Sequence, residues 1–94
     1  MSLLPLLVLA FATPAASATY YQAEPVTPPS RERFVARENI WRCAGTACAS
    51  PRSASRAAIV CSTLVRQVGA LRSFSVDGQP FDAEALESCN RRAR

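Results

Sequence analysis

Ninety-four residues with a net charge of +4 allow one domain at most, and the chain contains no histidine. That removes the commonest general base and the Ser-His and Cys-His nucleophile pairs. The three glycines, Gly45, Gly69 and Gly78, are too scattered to form a phosphate-binding loop.

Leu3 to Ala12 is almost wholly apolar, Thr13-Pro14 breaks the run, and Ala16-Ser17-Ala18 places small residues where a signal peptidase reads them. Residues 1–18 therefore read as a cleavable signal peptide, although no Lys or Arg precedes the apolar run. As a helix, about ten residues rise only about 15 Å, half a bilayer core, so a membrane span is the poorer reading. Export to the periplasm or beyond the cell is the resulting expectation. Residues 19–30, with three prolines, read as a disordered tether, and residues 31–94 as the single folded domain.

Within that domain, Val35 to Cys43 partly alternates and predicts a strand, with Asn39, Trp41 and Cys43 on one face and Ile40 on the other. Ala44 to Ala47 predicts a four-residue loop, and Cys48-Ala49-Ser50 a short returning strand ended by Pro51. Ser55 is the candidate N-cap of a helix over 56–68, whose Ala57, Cys61, Leu64 and Val68 fall on one stripe; Gly69 closes it. Leu71 to Val76 alternates again as a strand, and Asp77-Gly78 turns the chain. Asp82 is the predicted N-cap of a last helix from Ala83 to about Asn90, with Phe81 and Leu86 at the hydrophobic-staple positions. Glu84 in its first turn and Arg91 and Arg92 at its end suit the helix dipole. The fold class is α+β: a small disulfide-stapled domain, two helices packed on a short antiparallel sheet.

Cys43, Cys48, Cys61 and Cys89 all follow the leader. An even number of cysteines in a short exported chain means two disulfides, and a core this small needs them. Three connectivities are open. Cys43 and Cys48 face each other across the predicted hairpin, while Cys61 and Cys89 each face inward from a helix, so 43–48 with 61–89 is the preferred pairing. A redox site would require C-x-x-C, and a zinc site two close ligand pairs, so no metal or cofactor is expected.

All eleven basic residues are Arg, dispersed from Arg31 to Arg94 among seven carboxylates. The pattern suits a solvated surface, and it also leaves room for another envelope protein or an anionic envelope surface as partner. Nucleic acid is not expected. Trp41 beside Arg42 is the candidate partner contact, since Trp and Arg are enriched at interface hot spots; the competing reading packs Trp41 into the core. Asp77, Asp82, Glu84 and Glu87 lie close in sequence, but a turn, a cap, a dipole partner and a solvated face account for them.

From about Glu38 to Asn90 the chain resembles a family of small, uncharacterised, exported four-cysteine proteins of alphaproteobacteria. The resemblance is carried by Trp41-x-Cys43 with Cys48, Val60-Cys61-x-x-Leu64, Gly69-x-Leu71-x-Ser73-Phe74, Gly78 and Leu86-x-x-Cys89-Asn90. It implies export and a shared fold, and it brings no activity, substrate or catalytic residue. The sequence thus points to an exported non-enzymatic envelope protein or interaction module. The alternative is a small periplasmic enzyme, or an enzyme inhibitor presenting Ala44 to Ala47.

Overall fold

The computed structural model describes residues 18–93; the apolar leader assigned to the signal peptide lies outside them, apart from Ala18. The elements in chain order are β1 (Thr19–Pro25), β2 (Arg33–Ala36), β3 (Asn39–Ala44), β4 (Ala47–Pro51), α1 (Ala57–Val68), β5 (Leu71–Val76), β6 (Gln79–Pro80) and α2 (Ala83–Asn90). The strands form one antiparallel sheet in the order β2-β3-β4-β1-β5-β6. Helices α1 and α2 pack on it, which is the α+β class read from the sequence.

The largest departure from the sequence reading is β1. Thr19–Pro25 is no tether but the strand that joins β4 to β5, and only residues 26–32 connect it to β2. Its inward residues are Tyr21, Ala23 and Pro25, a period-2 pattern muted by a small side chain and a proline. Pro25 is tolerated because it ends the strand; the next residue, Val26, resumes donation, its N–H reaching Ala70 O at 3.0 Å.

The single strand expected over 35–43 is instead a hairpin. The chain reverses at Arg37-Glu38, with Arg37 at φ 59°, and β2 pairs with β3 through Phe34 opposite Trp41 and Val35 opposite Ile40. A non-glycine residue in the left-handed region sends no signal in the sequence, so the alternation on either side reads as continuous. The next loop is shorter than expected: Gly45-Thr46 suffices, with Gly45 at φ 61°.

Helix α1 starts one residue later than predicted. Arg56 occupies the N-cap and makes no side-chain capping bond, while the Ser55 hydroxyl donates to Glu38 Oε2 at 3.4 Å. The buried stripe is Val60, Cys61, Leu64 and Val65, with Ala57 and Val68 half-buried at its rims. Gly69 closes the helix with positive φ, its N–H donating to Val65 O. For β5 and α2 the expected bounds hold, and Asp82 caps α2 by accepting from Ala85 N–H at 2.8 Å. The core centres on Trp41, Phe74, Leu64, Val60 and Val65. Phe74 lies 4.7 Å from Phe81 and 6.5 Å from Trp41 between ring centroids.

Candidate functional site

Both disulfides of the preferred pairing are present. Cys43 and Cys48 are directly opposed on β3 and β4, with Cα atoms 4.0 Å apart. The Cys43 N–H points to the other side, to Glu32 O at 2.7 Å, as at a non-hydrogen-bonded pair, where opposed side chains come closest. Cys61 and Cys89 join α1 to α2, with Cα atoms 5.9 Å apart, and among the described residues no cysteine is free. The first bridge pins a hairpin that is already local, whereas the second fixes the two helices against each other.

A second device, not foreseen from the sequence, fastens α2 to the sheet. Strand β6 is only two residues long and covers β5 only at Ser75 and Val76. Further along, the Asn90 side chain acts as a surrogate strand: its Oδ1 accepts from Leu71 N–H at 2.8 Å and its Nδ2 donates to Leu71 O at 2.9 Å. The far edge is closed in a similar way, Gln67 Nε2 donating to Val35 O on β2 at 2.8 Å. A two-residue proline-bearing strand shortens the template for strand addition at one edge, and at the other Gln67 occupies the Val35 carbonyl.

Trp41 does not belong to any exposed face. It is fully buried, tilted against Phe74, and its indole Nε1 has no hydrogen-bond partner among the described residues. The partner-contact reading of Trp41 is thus overturned, because the β3 alternation turns it inward with Asn39 and Cys43. Arg42, the other half of that candidate pair, is exposed on the opposite face, directly across from Arg33. The carboxylates do not converge into a catalytic group: Asp82 is occupied as a helix cap, Asp77 sits at φ 50° in the β5–β6 turn, and Glu87 approaches Arg91 at 4.0 Å. Among the described residues no cluster of metal-binding side chains occurs.

What the sequence did not reveal is an open groove of about 590 Å³ over the helices. Its cationic walls are Arg37 from the β2–β3 turn, Arg66 from α1 and Arg92 just after α2, all exposed, and no carboxylate lines it. Ile59, Phe81 and Ala85 supply apolar surface, Ile59 being 39% exposed. Ser62 and Thr63 also face the groove, but each hydroxyl donates within α1, to Ile59 O and Val60 O at 3.0 Å, leaving its oxygen as an acceptor. The site therefore offers guanidinium donors, hydroxyl acceptors and an apolar strip. It provides no nucleophile–base pair. The three arginines lie far apart in sequence, and only the tertiary fold assembles them.

No curated protein and no solved structure matches the chain. A family of unknown function, DUF8200, matches residues 6–91, a span that takes in all the elements described above and both disulfides. The chain belongs to that family.

Proposed function

We propose that this protein is an exported, non-enzymatic binding module whose helix-side groove takes an acidic, partly apolar segment of another envelope protein. The observation that carries the reading is the groove's composition: Arg37, Arg66 and Arg92 beside Ile59 and Phe81, with no carboxylate among the lining residues. Guanidinium groups pair with carboxylates through charge-assisted hydrogen bonds. The acceptor oxygens of Ser62 and Thr63 suit the N–H groups of a peptide rather than a bare anion. Two disulfides support a site of action in an oxidising compartment, the periplasm or the extracellular space. Among the described residues no helix is long and apolar enough to cross a membrane. With the leader removed after Ala18, the new N-terminus Thr19 would open directly into β1.

A photoreactive side chain placed at Ser62 or Ser88 in intact cells tests this. One discrete exported protein is captured from the parent, and the adduct falls at least about tenfold when Arg66→Glu and Arg92→Glu are combined, since hydrogen bonds to charged groups contribute roughly 1.5–3 kcal/mol. Equal capture by parent and double variant would remove the groove from the account.

A further inference from the structure

The sheet face turned away from the helices carries a separate feature. On the β2–β3 hairpin, Val35 and Ile40 lie directly opposite each other and are 58% and 49% exposed. One step along the same face, Arg33 lies directly opposite Arg42, and both are exposed. Like charges directly opposed across a ladder destabilise it. Neither arginine has an ion-pair partner: Arg42's other cross-strand neighbour is Ala49, whose own neighbour on β1 is Gln22, and Glu24, which shares this face, stands two strands away on β1. The one side-chain ion pair among the described residues, Arg91 with Glu87, is on α2.

We infer that this hairpin face docks on an anionic phospholipid surface, Arg33 and Arg42 engaging lipid phosphates while Val35 and Ile40 enter the headgroup boundary. Three observations favour lipid over other occupants. A second copy of the chain laid on the same face would gather four guanidinium groups against the two Glu24 carboxylates, leaving the contact net positive. A protein partner is ordinarily gripped by aromatic anchors in pockets, whereas this face offers two aliphatics beside the small Ala44, Ala47 and Ala49. A flat apolar pair flanked by arginines matches the requirements of an interfacial anchor, in which apolar burial and attraction to anionic headgroups add. The inference is independent of the groove, which lies on the helix side.

Flotation of the oxidised protein with vesicles tests it. Vesicles of equal parts phosphatidylglycerol and phosphatidylcholine carry the protein upward, pure phosphatidylcholine vesicles carry far less, and added salt erases most of the difference. Combining Arg33→Gln with Arg42→Gln weakens binding to the anionic vesicles about 30-fold, at about three-quarters of a decade per cation. Val35→Asn with Ile40→Asn also weakens it. Arg56→Gln with Arg91→Gln, the same change of charge on the helix side, leaves most binding intact. Circular dichroism of each variant establishes that it is folded, and any contribution from a retained leader is common to all. Equal losses in the two arginine pairs would overturn the proposal by reducing it to net charge. So would indifference to vesicles together with hairpin-dependent binding to polyglutamate, which would make the face a protein-docking surface.

Discussion

The two faces of the sheet come from the same strands and share almost nothing else. Toward the helices stand Tyr21, Phe34, Trp41, Cys43, Cys48 and Phe74, all buried. The other face carries Gln22, Arg33, Val35, Ile40 and Arg42, one residue away in each strand and all exposed. Because side chains alternate along a strand, a single register decides both sets at once. The comparison teaches a division of labour: the closed face holds the fold, and the open face is free to carry charges that a fold alone would not favour. In a domain this small, the closed face has little to spare.

The division can be broken most severely at Trp41. Trp41→Ala is expected to cost about 3–5 kcal/mol, enough to threaten folding altogether, whereas Arg42→Ala, one residue along, should stay within about 0.5 kcal/mol in urea unfolding. Next come the bridges. Replacing Cys61 and Cys89 together by Ala should remove about 3–4 kcal/mol, and replacing Cys43 and Cys48 about 2, because the first closes a far longer loop than the second. Equal losses would mean that the hairpin bridge does more than pin a local turn. Asn90→Ala deletes both bonds to Leu71 and should cost about 1–3 kcal/mol, with hydrogen exchange accelerated first at the Leu71 amide. The smallest effect has the opposite sign. Arg33→Glu converts a like-charge pair into an attractive one and should stabilise the fold by up to about 1 kcal/mol while abolishing vesicle binding, separating the two faces in one variant.

The parts legible in the sequence are those with explicit local chemistry. Helix α2 is announced by the Asp82 cap and by Phe81 and Leu86, which are both half-buried against the core as the staple positions require. Strand β5 is bounded by Gly69 and Asp77-Gly78, and Cys43 and Cys48 sit at a spacing that a tight hairpin brings face to face. Strand β1 was illegible because Pro25, with Pro28 and Pro29 just after it, outweighs a faint alternation, and its position in the sheet depends on partners that follow it by more than twenty residues. The turn at Arg37 lacked the Gly or Asn that marks a hairpin. Asn90 stood out only as part of the pattern that carries the family resemblance; its bidentate grip on Leu71 is a long-range contact that no local rule specifies. The groove fared worst for the same reason, since Arg37, Arg66 and Arg92 look like three more members of a dispersed basic set until the helices are in place.

Both binding proposals presuppose a chain that folds oxidised, outside the reducing cytosol. Intact mass of the protein recovered from its producing cell, taken with and without reductant, examines that directly. The account predicts a polypeptide beginning at Thr19 that gains four hydrogen masses on reduction, with non-reduced peptide maps joining Cys43 to Cys48 and Cys61 to Cys89. A chain that still begins at Met1 and carries four free thiols would contradict it.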